Sequence, residues 1–156
     1  MTFYMLLNQV ASVFLSLNVL TTLTFDSEVQ SYLYGGSQTD LFVQLTNNSR
    51  TLALKSKTEG ELSNLLVITK NRKFYFDLKL DKHHPHQFVE VKHGLINMSS
   101  KSIVKNKRFE ILEGKTSLTI LNKSKKEIQV NGLKVKTKDY FSKGVPIFID
   151  GARVLY

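Results

Sequence analysis

The sequence predicts an all-β protein, built as one or two small antiparallel β-sandwich or barrel modules behind an apolar N-terminal segment. Three features carry that expectation. Apolar and polar residues alternate with a period of two from Thr24 onward. Turn-forming residues recur at intervals of about 8–12 residues, the spacing of sandwiches and barrels and not of strand–helix–strand units. The 156-residue chain is 42% hydrophobic and has no cysteine, so it can build a core but has no disulfide frame, thiolate nucleophile or zinc finger.

Residues 1–24 are apolar and uncharged. Phe3, Leu6, Leu7, Val10, Val13, Phe14, Leu17 and Leu20 recur at three- and four-residue intervals, the pattern of one face of an amphipathic helix. The run is also long enough for an export signal or membrane anchor, although it lacks a basic leading region and offers only Thr22-Leu23-Thr24 as a cleavage site. The segment therefore reads as a signal or anchor, or as a retained packing helix.

Strands are expected next at Glu28–Tyr34, Leu41–Leu45 and Thr51–Lys55. Leu65–Thr69 and Lys73–Leu80 read as a hairpin joined at Asn71-Arg72. In its second arm Phe74, Phe76, Leu78 and Leu80 point to one face, and Lys73, Tyr75, Asp77 and Lys79 to the other. Gln87–Lys92 follows a turn around Pro85. The polar, weakly periodic stretch Gly94–Lys107 marks a boundary, giving modules at 25–94 and 95–156. In the second module strands are expected at Arg108–Leu112, Ser117–Leu121, Glu127–Val130, Leu133–Thr137 and Pro146–Ile149. Asn131-Gly132 is its strongest hairpin signal. Lys134, Lys136 and Lys138 fall on a polar face opposite Leu133, Val135 and Thr137.

Catalytic signatures are missing: the chain has no nucleophile elbow, H-E-x-x-H, P-loop or dinucleotide-binding glycine pattern. All four histidines, His83, His84, His86 and His93, fall within eleven positions. Imidazoles are ready ligands for zinc, copper or nickel. Yet adjacent His83 and His84 point to opposite faces of an extended chain, and a polar, proline-fixed turn accounts for the run. No metal, cofactor or small-molecule substrate is expected, and the four remain candidates only. Asn47-Asn48-Ser49, Asn97-Met98-Ser99 and Asn122-Lys123-Ser124 match the glycosylation pattern, which chains rich in Asn and Ser also show by chance.

The 22 basic and 13 acidic residues give a net charge of +9, divided as −3 over residues 1–49 and +12 over 50–156. Such asymmetry suits nucleic acid, an anionic membrane or an acidic subunit. Eighteen of the basic residues are lysine, whereas arginine is the better phosphate and guanine reader. A nucleic-acid surface on the strand bearing Tyr75, Lys73 and Lys79 would have a single exposed aromatic as its stacking platform.

One stretch resembles a known family. Leu52-Ala53-Leu54-Lys55, Asn64-Leu65-Leu66-Val67-Ile68-Thr69, Asn71-Arg72-Lys73 and Phe74-Tyr75-Phe76-Asp77-Leu78 follow one another as do an apolar strand, an Asn-Leu-x-Val-x-Thr strand, a basic turn and an aromatic-alternating strand. This order resembles the N-terminal domain of the TrbG/CagX outer-membrane-complex subunit of type IV secretion and conjugation systems. Phe25-Asp26-Ser27-Glu28-Val29-Gln30 with Tyr34 is similar to its opening strand. The likeness spans about residues 25–82; the family's Asp-Asp-Gly element has only Asp150-Gly151 as an echo. It implies a non-enzymatic subunit at the periplasmic side of the outer membrane. Such a subunit packs against copies of itself, an outer-membrane lipoprotein and an envelope-spanning scaffold. Two alternatives remain: a basic, cytoplasmic nucleic-acid-binding domain, and an extracytoplasmic adhesin or pilus-type sandwich. Tyr75, Lys73, Lys79, Lys134, Lys136 and Lys138 are the candidate contact residues.

Overall fold

The computed structural model describes residues 1–97 and 101–156, and those residues form seventeen β-strands and no helix. No helix is therefore long and apolar enough to cross a membrane. The Asn97-Met98-Ser99 pattern lies partly outside the described residues. The chain divides into two compact units: Met1–Thr2 with Val10–Lys92, and Phe3–Gln9 with His93–Tyr156.

The N-terminal segment corrects the helical expectation. It forms β1 (Thr2–Met5), β2 (Val10–Leu15) and β3 (Thr21–Phe25). Strand β2 runs parallel to the later strand β8 (Lys73–Leu80), and Ala11 through Leu15 are all buried. A strand covered on both faces shows no alternation and reads as an unbroken apolar run, which also satisfies a helical template. The helical stripe breaks down in space: Leu7, Val10 and Leu20 are exposed, whereas Met5, Ala11 and Leu15, off that stripe, are buried.

The first unit continues with β4 (Val29–Tyr34), β5 (Leu41–Thr46), β6 (Thr51–Ser56), β7 (Asn64–Thr69), β8 (Lys73–Leu80) and β9 (Phe88–His93). One sheet has the order β2-β8-β7-β4; the other contains β9-β3-β6-β5. The sheets are mainly antiparallel, as expected, and β2 with β8 and β3 with β9 pair in parallel. The β7–β8 hairpin is antiparallel as expected, and Phe74, Phe76 and Leu78 are buried while Lys73 and Tyr75 are exposed. Phe25 of β3 meets Phe74 and Phe76 of β8 at ring-centroid distances of 5.3 and 6.3 Å, so the two sheets share one core.

The second unit holds β10 (Lys101–Lys105), β11 (Phe109–Glu113), β12 (Ser117–Asn122), β13 (Ile128–Val130), β14 (Leu133–Val135), β15 (Lys138–Ser142), β16 (Ile147–Ile149) and β17 (Ala152–Leu155). Its sheets are β10-β11-β12-β15 and β14-β13-β16-β17. Phe109, Ile111, Ile120 and Phe141 of the first, and Ile128, Val130, Val135, Ile147 and Ile149 of the second, are buried. Residues 3–9 join this unit. Tyr4 and Lys143 exchange backbone hydrogen bonds of 2.8 and 3.0 Å, Gly94 N–H donates to the Met5 carbonyl, and Leu6 N–H donates to Ser142 Oγ at 2.8 Å. A Cβ on Gly94 would stand 2.8 Å from the Thr116 carbonyl oxygen, so this approach requires glycine.

Turn chemistry follows the sequence. Asn131-Gly132 joins β13 to β14 and Asp150-Gly151 joins β16 to β17, both residues of each pair having positive φ, as a type I′ turn demands. The β5–β6 connection is more strained: Asn47, Asn48 and Ser49 stand consecutively at φ 56°, 53° and 64°. Asparagine tolerates the left-handed region; serine is a poorer fit. Ser49→Gly is therefore expected to raise stability by about 1 kcal/mol, read as a higher urea midpoint at unchanged m-value.

Candidate interaction surface

The four histidines do not converge. His83 and His84 are exposed, and their backbone N–H groups donate to Asp81 Oδ1 at 3.1 and 2.9 Å, so the carboxylate closes this turn. His93 belongs to the second unit. His86 is buried: Phe14 N–H donates to its Nδ1 at 2.9 Å, and its own N–H donates to the Phe14 carbonyl at 2.8 Å. The imidazole, 5.4 Å from the Phe14 ring, thus takes the place of a strand partner along the edge of β2. Among the described residues no group of three His, Asp or Glu side chains could hold a metal ion.

Lys134, Lys136 and Lys138 do not share one strand face, contrary to expectation. Strand β14 ends at Val135, and Lys138 opens β15 in the other sheet. Asn122 causes the break. Its Nδ2 donates to the carbonyls of Lys126, Val135 and Lys136 at 2.7, 3.0 and 3.0 Å, and its backbone N–H donates to the Thr137 carbonyl at 2.7 Å. These bonds occupy the carbonyls that a longer β14 would turn to a neighbour.

On β8 the outward residues are Lys73, Tyr75, Asp77 and Lys79, and Lys79 pairs with Asp77 at 3.8 Å. Register places Val10 beside Tyr75, Tyr75 beside Leu66, and Leu66 beside Leu33. These four cross every strand of the sheet as one apolar row, about 14 Å wide at ordinary strand spacing. Leu33 is 63% exposed, Val10 43% and Tyr75 36%. The row is bordered by Ser12, Asp77 and Asn64 on one side and by Lys73, Ile68 and Ser31 on the other. A shallow groove of about 310 Å³ opens along it, with Tyr34 and Gly35 in its wall. Sequence alternation places Tyr75 outward and the hairpin sets Leu66 beside it, but Val10 and Leu33 come from strands far off in the chain.

Two further grooves occur in the first unit. One of about 490 Å³ runs between Tyr32 and Tyr34 on β4 and Leu41, Phe42 and Val43 on β5. Another, of about 720 Å³, is lined by Leu20, Phe42, Gln44, Ala53 and Lys55.

The fold redistributes the charge. The acids of residues 1–49 lie in the same unit as the lysines of 50–92, so that unit holds nine basic against eight acidic residues, a net +1. The second unit holds thirteen against five, a net +8. One of its acids is specifically engaged: Asp150 pairs with Arg108 and accepts from Gln129 N–H at 2.9 Å. The Gln129 hydrogen bond, with Arg108 beside it, holds the Asp150 carboxyl below its ordinary value.

No protein-family model matches the sequence, and no curated protein matches it at a significant level.

Two measurements check these assignments. His86→Ala leaves the Phe14 N–H without its acceptor and opens space beside the ring. It should cost about 1–3 kcal/mol in denaturant unfolding. Asp150→Asn keeps the turn residue and removes the charge. Because the folded carboxyl titrates below the unfolded one, its contribution is present at neutral pH and disappears as pH falls through the folded value. The variant should melt below the parent at neutral pH, and the gap should close in acid.

Proposed function

We propose that the chain is a non-catalytic structural subunit that assembles side by side with copies of itself in an envelope-spanning secretion or conjugation apparatus. The observation that carries this reading is the row Val10–Tyr75–Leu66–Leu33, solvent-facing on an otherwise ordinary sandwich sheet. A contiguous apolar strip with a largely polar rim, broken here only by the half-buried Ile68, has the composition of an interface core. Three of its four residues, Leu33, Leu66 and Tyr75, lie in the part of the chain whose strand pattern resembles the TrbG/CagX N-terminal domain. The resemblance supplies the remaining elements of the proposal: a periplasmic, outer-membrane-associated location, and contacts to an outer-membrane lipoprotein and a scaffold subunit.

The first unit's net charge of +1 makes apolar contact, and not attraction between oppositely charged halves, the driving force for self-assembly. Nucleic-acid binding on β8 receives less support, since Tyr75 sits between Val10 and Leu66 instead of among lysines, and Asp77 already engages Lys79.

Native mass spectrometry of the protein purified from envelope fractions tests the proposal. A defined homo-oligomer that persists in high salt is expected, and Leu33→Glu and Tyr75→Glu should each shift it to monomer while leaving the melting temperature near the parent's. A cytosolic monomer carrying nucleic acid, or an oligomer indifferent to both substitutions, would overturn the reading.

A further inference from the structure

The second unit gathers its cations at one end of a sheet. Lys107 and Arg108 lead into β11, Lys123, Lys125 and Lys126 follow β12, and Lys136 precedes β15; all six are exposed. Antiparallel register brings these three connections together: Phe109 faces Asn122, and Leu121 faces Lys138. Hydrogen bonds hold the loops in place. Asn106 Oδ1 accepts from the N–H groups of Arg108 and Phe109 at 2.8 and 2.9 Å. Lys123 N–H donates to the Arg108 carbonyl at 2.8 Å, joining the first loop to the second. Asn122 joins the second to the third through the Lys126, Val135 and Lys136 carbonyls. The lysines are thus set on an ordered backbone, whose entropy cost is met in folding and not on binding.

Charge balance fixes the kind of partner. Arg108 is neutralised by Asp150, leaving Lys105, Lys107, Lys123, Lys125, Lys126, Lys136 and Lys138 against Glu110, Glu127 and Asp139 at this end. The surface is therefore cationic, and the whole unit is +8, which disfavours a second copy of the unit as the occupant of this end. The loops Lys105-Asn106-Lys107-Arg108, Asn122-Lys123-Ser124-Lys125-Lys126 and Lys136-Thr137-Lys138 contain no aromatic residue on which a base could stack. With its one arginine engaged, this end has no free planar fork for phosphate or guanine recognition. Flexible ammonium groups spread over neighbouring loop tips match a laterally diffuse layer of negative charge. The geometry points to electrostatic docking of this lysine-bearing end on the anionic headgroups of a lipid bilayer. No side chain is inserted, so adsorption is peripheral and salt-sensitive.

The test is sedimentation of the full chain with phosphatidylcholine vesicles containing about one-third phosphatidylglycerol, against pure phosphatidylcholine. Binding is expected only to the anionic vesicles and should fall steeply as salt is raised. Lys123→Gln/Lys125→Gln/Lys126→Gln should lower the partition coefficient roughly a hundredfold, at about a tenfold loss or less per lysine. Lys57→Gln/Lys70→Gln/Lys101→Gln, which removes the same charge elsewhere, should lower it far less. Three outcomes would overturn the inference: equal binding to neutral vesicles, equal losses in the two triple variants, or tighter binding to a DNA duplex at matched phosphate concentration. Thermal melting confirms that both triple variants are folded, and because the Leu33→Glu variant retains this end, it should bind the vesicles whatever its oligomeric state.

Discussion

Everything else in the fold depends on an apolar N-terminal run being used as strand. Phe3 and Met5 are buried in the second unit, and Ala11, Val13, Leu15, Leu23 and Phe25 in the first. The same twenty-five residues thus supply core to two modules, each small enough for a missing strand to be a serious loss. Strand β2 enters as the edge of its sheet, parallel to β8, and would present bare N–H and C=O groups on its far side. His86 answers that with a backbone donor and an imidazole acceptor on Phe14. The histidine run that invites a metal reading thus contributes one member to edge protection and leaves two in a solvated turn.

The two modules manage surface chemistry differently. In the first, opposite charges nearly cancel, and what stands out is an apolar row on the outward face of β2-β8-β7-β4. In the second, cations dominate, and short polar side chains decide where they stand. Asn106 and Asn122 bond to backbone groups of loops that would otherwise move independently, and Asn122 also ends β14 where pattern alone would continue it. Side-chain-to-backbone bonds of this kind compete directly with ladder bonds. One unit therefore exposes an apolar row and the other a cationic end, so the two surfaces can be altered separately.

The Asp150 site shows how turn chemistry and charge combine. Its positive φ meets the needs of the β16–β17 hairpin, and its carboxylate serves Gln129 and Arg108 at the same time. A residue chosen for conformation is here also an electrostatic link between the two sheets of its unit.

The sequence by itself determined the all-β class, the β7–β8 hairpin and the faces of Phe74, Tyr75 and Phe76, and the Asn131-Gly132 and Asp150-Gly151 turns. These depend on side chains a few positions apart, where the two-residue period and positive-φ preferences act. Tertiary structure alone decided that residues 10–15 are a strand, because burial of β2 on both faces erases the alternation that marks a strand. It alone brought Val10 and Leu33 into one row with Leu66 and Tyr75, and parted Lys138 from Lys134. Strand partnership joins residues dozens of positions apart, and the local pattern of a strand is the same whichever neighbour it pairs with.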